Sequence, residues 1–350
     1  MRIVCIGAGR IVQWFCEDLA FSKYRDKIKL HGIYNRTKNK AEIYQQKYQF
    51  EIVYDDLAAV IADKRNYDLV YVGTSDATHY QIVKLLLSAQ IAVFCEKPLA
   101  LSYDEAKELY QIAQEQQVLL FDGIKTGFSP AYQEMKKDIA AGLIGQVQYL
   151  RASHAKISTS GRIPNPKKDD QNFVGLHLAG GVYALFIGLD ILGPITTTRH
   201  LNNSYPNHRA ISTSVLTNRH QNNGISTIIA SDSLTSDLSA EILGTKGYIK
   251  LGGNLAKYNQ DYQKDSCHMA YTYEVYDNNG NLLKNVDLPL TTKGEGLFLE
   301  INHLYELWNN KQLTSPIVSP EISLSIIEIL AKTNNTNDYE VIAIKGGKDE

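Results

Sequence analysis

The sequence predicts an α/β protein in two parts: an N-terminal domain on a parallel sheet, then a C-terminal α+β domain on an open, largely antiparallel sheet. Three observations carry this reading. Short apolar runs alternate with helix-length stretches through residues 1–122. From about Gly123 the alternation gives way to β-rich sequence broken by Gly and Asn turns. A chain of 350 residues with 44% hydrophobic content exceeds one typical domain and can bury a large core. Domains are expected at 1–122 and 123–350, with the C-terminal helices free to pack back on the first.

The first-half strand candidates are IVCIG at 3–7, KLHGIY at 29–34, DLVYVG at 68–73, IAVFC at 91–95 and VLLFD at 118–122. Helix-length connections between them imply right-handed crossovers and a parallel sheet. The helix from Ser102 to Gln117 opens with Ser102 and Glu105 at capping-box spacing. Beyond it come a helix from Pro130 to Ala141 closed by Gly142, and a strand-like run, QVQYLRASHAKIS, from Gln146. A loop rich in Pro, Lys and Asp at 161–172 leads to an apolar helix over Leu178 to Leu192, stopped by Gly193-Pro194. Strand runs fill 195–290, with Lys246-Gly247 and Asn279-Gly280 as hairpin turns. Helices at about 295–310 and 319–332 close the chain.

Composition removes several function classes. The net charge of -2 and the lack of a basic run argue against nucleic acid, and no stretch approaches the roughly 20 apolar residues of a membrane span. The start of the chain enters a strand without the basic and apolar segments of a signal peptide, so a cytoplasmic protein is expected. Cys5, Cys16, Cys95 and Cys267 are widely separated and form neither a CxxC pair nor a zinc spacing, so they read as reduced and buried. No metal site is implied.

The richest segment is RIVCIGAGRIV at 2–12. An apolar strand that stops at Gly7 and Gly9 and continues through Arg10 and Ile11 into a helix builds a phosphate site, because Gly permits the turn and lets backbone N–H groups approach a pyrophosphate. Val12 stands where the usual fingerprint has a third small residue, and a plain structural turn would look similar. In such Rossmann-type sheets ligands lie beyond the carboxyl ends of the strands. After the second strand come Asn35, Arg36, Thr37 and Lys38, with no carboxylate to bind a ribose hydroxyl, which favours NADP and leaves NAD open; a solvated basic loop reads the same way. After the third come Thr74, Ser75, Asp76 and His79, with Thr74, Ser75 and His79 on the ribose side, although Ser75 and Asp76 also suit a helix cap. The next strand ends in Glu96-Lys97-Pro98. Pro98 biases Lys97 to an extended backbone, so its amine projects from a rigid strand end where it can bond a substrate oxygen or move a proton, unless it simply pairs with a surface carboxylate.

Taken in order, GAGRIV at 7–12, TSDATH at 74–79, CEKPLA at 95–100, KTGFSPAY at 125–132 and GLIGQVQYL at 142–150 resemble the Gfo/Idh/MocA oxidoreductase family. EILGTKGYIKL at 241–251, GEGLFLEI at 294–301 and SPIVSPEISLSIIEIL at 315–330 extend the likeness over nearly the whole chain. The resemblance implies a Rossmann domain joined to a C-terminal α/β domain that forms dimers or tetramers, and hydride transfer between NAD(P) and sugars, inositols or dihydrodiols. It makes Lys97 the lysine of the EKP motif, with Glu96 steadying the strand end. Matching Gly181-Val182-Tyr183 to the end of the family's second motif makes Tyr183 the acid or hydroxyl donor and puts Ala179 where the family has Asp. Positions 179 and 183 share a helix face, so the loss of charge matters. His177 is about 200° around the helix from Ala179, and Asp190 lies about 10 Å along it from Tyr183. Asp169 and Asp170 in the loop remain candidates for the missing carboxylate. Lys125, His154 and His177 are expected to line the substrate pocket, with Lys156 on the same strand face as His154. The expectation is an NADP-preferring oxidoreductase of a small polyhydroxylated or cyclic alcohol or carbonyl compound, working as a homodimer or homotetramer. The alternative is a catalytically weakened dinucleotide-binding sensor or regulatory protein.

Overall fold

The computed structural model describes residues 1–157, 175–206, 210–254, 265–288, 294–335 and 342–344; side chains at 175–179 and 335 are not described, and the loop at 161–172 lies outside the described residues. The chain forms two compact units, 1–123 with 292–320 and 124–291 with 321–350.

The first unit carries six parallel strands: β1 (Arg2–Ile6), β2 (Lys29–Tyr34), β3 (Ile52–Tyr54), β4 (Leu69–Val72), β5 (Val93–Glu96) and β6 (Leu120–Gly123). Their order is β3-β2-β1-β4-β5-β6, so the winding reverses between β1 and β4, where a doubly wound sheet opens its ligand crevice. Five strands match the expected runs within two residues. The sixth, β3, has three residues, too few to make a pattern. The connecting helices are α1 (Arg10–Asp18), α2 (Lys38–Tyr48), α3 (Leu57–Ala62), α4 (His79–Ser88) and α5 (Tyr103–Gln116). The α5 cap forms as expected, the Glu105 N–H donating to Ser102 Oγ at 3.3 Å.

One face of this sheet carries a row of fully buried rings. Tyr71, Phe94 and Phe121 are register partners on β4, β5 and β6, with centroids 5.0 and 4.8 Å apart, and Phe15 of α1 stacks on Tyr71 at 4.0 Å. Such contacts add stacking to the large apolar area that each ring removes from water.

The second unit contains α6 (Pro130–Ala140), β7 (Val147–Ala155), α7 (Gly175–Leu192), β8 (Ile195–Ser204), β9 (Ile211–His220), β10 (Ile225–Ser231), β11 (Ala240–Gly244), β12 (Gly247–Leu251), β13 (Thr272–Asp277) and β14 (Leu282–Asp287). The helices near the C-terminus are α8 (Leu297–Asn309) and α9 (Pro320–Asn335), and β15 (Ile342–Ala343) follows. Its sheet runs β14-β13-β12-β11-β7-β10-β9-β8-β15, antiparallel except for the β7–β10 pair. The turn at Asn279-Gly280 falls where expected, whereas the first hairpin turns at Thr245-Lys246, one residue earlier than expected, with Gly247 already in β12. At Gly247 a Cβ would lie 2.1 Å from the Tyr276 carbonyl oxygen, and Gly280 takes φ 80°, so glycine is needed at each. The apolar character of α7 follows from cover on two sides: a Cβ on Gly188 would be 3.2 Å from Ser226 Oγ on β10, and one on Gly181 would be 3.1 Å from Leu330 of α9.

Residues 292–320 pack with the first unit although they follow the second in sequence. A buried carboxylate explains the attachment. Asp18, at the end of α1, accepts the backbone N–H of Glu295 at 3.0 Å and of Leu297 at 2.7 Å, so it caps α8. Among the described residues no helix is long and apolar enough to cross a membrane.

Candidate active site

The glycine turn sits at the switch point of the first sheet. Gly7 takes φ 110°, and a Cβ there would lie 2.5 Å from the Gly73 carbonyl oxygen, so no side chain fits. Gly9, the residue before α1, has nothing within 4 Å of where its Cβ would be. The backbone there is open, and the N–H groups of the first turn of α1 have no intrahelical acceptor. That turn contains no acidic residue and begins with exposed Arg10, whose guanidinium lies 5.9 Å from the Trp14 ring. Neighbouring segments hold the turn: the Gly7 N–H donates to the Tyr34 carbonyl at 2.8 Å, the Ala8 N–H to Asn35 Oδ1 at 3.1 Å, and the Tyr44 hydroxyl to the Gly9 carbonyl at 3.2 Å.

Val12 also finds its explanation here. The third glycine of the fingerprint allows close packing of helix on strand, and in this chain the space comes from the strand side. A Cβ on Gly73 would lie 2.7 Å from Val12 Cγ2 and 3.1 Å from Ile11 Cγ2. Val12 is fully buried against this bare stretch of backbone. A pyrophosphate therefore fits the turn: an open backbone, free N–H groups, a nearby cation and no competing carboxylate.

Beyond β2, Arg36 is exposed and makes no ion pair among the described residues. Lys38 is already engaged, its Nζ 2.5 Å from Asp55 Oδ1, and that bond raises the ammonium's pKa. Asn35 ties the loop to the glycine turn through Oδ1 and donates from Nδ2 to the Thr37 carbonyl at 3.0 Å. Beyond β4, half-buried Thr74 accepts the Thr78 hydroxyl at 2.9 Å, and Ser75 is exposed.

His79 departs from the ribose-side expectation. Its ring is fully buried, and Nδ1 donates to the Pro98 carbonyl at 2.8 Å, so it supports the turn that carries Lys97. The spacing that made it resemble a pocket residue sets it one helical turn into the protein, at the start of α4. Glu96 is 6% exposed and accepts the Tyr71 hydroxyl at 2.7 Å. Burial, followed by the Glu96 charge, pushes the Tyr71 phenol well above its ordinary pKa, so it remains a donor. The ring row thus ends in a hydrogen bond that fixes the strand end, with Lys97 half-buried immediately after it.

The second unit brings together residues that the sequence separates. Lys125 is half-buried in the short 3-10 turn Lys125–Phe128. His154 on β7 has its ring centroid 5.3 Å from that of Tyr183 on α7. Lys156 lies just past the end of β7 and is exposed, so His154 alone of that pair joins the cluster. The third ring is His268, 5.0 Å from Tyr183 and 4.8 Å from His154. Sequence reasoning missed it because SCHMAY at 266–271 contains no motif and falls between strand runs. Asp190, weighed as a substitute carboxylate, is committed elsewhere: it accepts the Tyr132 hydroxyl at 2.7 Å and pairs with Lys136 at 2.8 Å. The side chains of His177 and Ala179, and both Asp169 and Asp170, lie outside what the structure describes. Among the described residues no cluster of His, Cys, Asp and Glu is arranged to hold a metal ion.

A parallel sheet with its glycine turn at the switch point is the construction of a dinucleotide-binding protein. Residues 1–124 match the Gfo/Idh/MocA family model, described as an oxidoreductase family with an NAD-binding Rossmann fold. The Rossmann unit of this chain is thus that of the Gfo/Idh/MocA oxidoreductases, the family that its motifs resemble. Myo-inositol 2-dehydrogenase of Thermotoga maritima is 30% identical over 183 residues, 52% of this chain and 50% of its own length. The NADP(+)-dependent scyllo-inositol 2-dehydrogenase of Bacillus subtilis is 26% identical over 202 residues, 55% of this chain and 58% of its own. The chain therefore spans about half the length of these relatives. A levoglucosan dehydrogenase solved with NADH and L-sorbose has the same fold at a TM-score of 0.82 and 14% identity, covering 99% of each chain.

Proposed function

We propose that the protein is an NADP-preferring oxidoreductase that acts on a small polyhydroxylated or cyclic alcohol or its carbonyl counterpart. One observation carries the proposal. Lys97, braced by Glu96, Tyr71 and His79, stands at the carboxyl end of β5, in the same row of strand ends as the open glycine turn. When bound, the nicotinamide gives or takes the hydride. Gly7, Gly9, Arg10 and Ile11 hold the pyrophosphate, Asn35, Arg36, Thr37 and Lys38 border the ribose phosphate, and Thr74 and Ser75, beyond β4, lie on the ribose side. The Lys97 ammonium donates to the substrate oxygen, and the Tyr183 phenol holds or moves the proton there. Lys125 and His154 line the substrate side. The inositol dehydrogenases among its relatives support the substrate class, and exposed Arg36 supports NADP. Four buried free cysteines fit a reducing cytoplasm, and half-exposed Tyr248 and Tyr276, stacked 4.9 Å apart on the second sheet, fit burial in a homodimer or homotetramer.

Purified protein mixed with NADPH or NADP+ and a panel of inositols, cyclic diols and their ketones should change the nicotinamide absorbance, and Lys97→Ala should abolish the change. Tight NADPH binding with no turnover across the panel would instead favour a dinucleotide-binding sensor. Ala179, in place of the carboxylate that the family resemblance expects, is the specific reason to keep that second reading.

A further inference from the structure

His268 has no counterpart in any motif of the chain, yet it sits in a firmly hydrogen-bonded turn. It is 7% exposed, and its Nδ1 lies 2.7 Å from Ser266 Oγ. The turn that carries it is closed by the Met269 N–H, which donates to the Ser266 carbonyl at 2.8 Å. Behind the turn, the fully buried Asp265 accepts from the N–H groups of Tyr271 and Thr272 at 2.9 and 3.1 Å, from Thr272 Oγ1 at 2.6 Å and from the Asn254 N–H at 3.2 Å. A carboxylate that accepts four bonds locks the turn against the start of β13. The imidazole presented by this seat lies face to face with Tyr183 at 28° and edge-on to His154 at 68°.

We propose that His268 is the positioning residue for the Tyr183 phenol, an inference that rests on Tyr183 acting at the substrate oxygen as proposed above. A tyrosine ring has broad freedom about its second side-chain torsion; turning it leaves the phenol oxygen in place but swings the ring plane, in which the O–H bond prefers to lie, and a proton donor aimed off line loses rate steeply. His268 removes that freedom from one face of the ring, while His154 closes another side. Ser266 fixes the plane of the imidazole, so the stack is formed before substrate arrives. The ring stack orients the phenol.

The test uses the full-length protein in four forms, parent, His268→Phe, His268→Ala and Ser266→Ala, each carrying fluorotyrosine at position 183 for fluorine NMR. Cofactor binding to the first unit verifies folding. In the parent and His268→Phe, the fluorine resonance should stand well displaced from that of a solvent-exposed tyrosine; in His268→Ala it should move toward the exposed position, and in Ser266→Ala it should move part of the way. With an inositol substrate, His268→Ala should lower kcat by about tenfold to a hundredfold at nearly constant KM, and His268→Phe should restore most of it. An unmoved resonance in His268→Ala, or a Phe variant as damaged as the Ala variant in both readouts, would overturn the proposal. The fluorine readout needs no turnover. An inactive parent with the expected fluorine pattern would sink the assigned activity and show that His268 holds the Tyr183 ring all the same.

Discussion

The two units build their functional regions from different materials. In the first unit the site is mostly backbone: bare glycines, helix N–H groups and strand ends, set in place by a sheet whose order follows from contiguous sequence. In the second it is mostly side chain: His154, Tyr183 and His268 arrive from a strand, a helix and a turn, and meet because α7 packs on β7 and the turn that carries His268 is tied to β7 through Cys267 and the Ser153 carbonyl. Where backbone presses on backbone, as at Gly7, almost no added atom is tolerated. Side-chain clusters tolerate change in volume but not in orientation.

The largest expected effects test whether the two regions serve one reaction. Lys97→Ala and Tyr183→Phe should each reduce turnover by about a hundredfold to ten-thousandfold while leaving NADPH affinity within about threefold. If both groups act on the same oxygen, the double variant should lose far less than the product of the single losses. Fully multiplicative losses in steady-state assays would separate their roles.

Next comes the intolerance of the backbone. Gly7→Ala should lower stability by about 2–4 kcal/mol, since it forces a positive φ on a residue with a side chain and drives a methyl group into the Gly73 carbonyl. Thermal unfolding gives the first effect, and cofactor fluorescence should show binding lost with it. A normal melting curve would mean that the turn yields more easily than its geometry implies.

The smallest effects concern cofactor choice. Arg36→Ala should weaken NADPH binding by about tenfold and leave NADH nearly unchanged, the measure of one charged hydrogen bond near the surface. Asp55→Ala, by releasing Lys38 from its exposed pair, should improve NADPH binding by about twofold. Equal changes for both cofactors in a titration would dismiss the ribose phosphate assignment.

The contrast also explains what could be read from the chain alone. The parallel sheet, the glycine turn and the Lys97 strand end were legible because each depends on residues within a few positions of one another. The three-residue β3 left no periodicity to detect. His79 looked like a pocket residue because spacing alone does not reveal which way a helix start faces, and the structure turns it inward to Pro98. His268 was invisible for the opposite reason: nothing local marks it, and only the fold supplies its neighbours. Asp18 is similar, a carboxylate at the end of one helix that caps another placed far along the chain.

Val12 and Gly73 have a consequence for heredity as well as for packing. A branched side chain on the helix and a bare backbone on the strand share a single allotment of space, so neither position is free to drift alone. Gly73→Ala by itself should be defective, and Val12→Ala should act as its suppressor, each variant correcting the other's volume. A search keyed to the local glycine string sees only half of that pair. The unit that selection can trade is the shared volume across helix and strand.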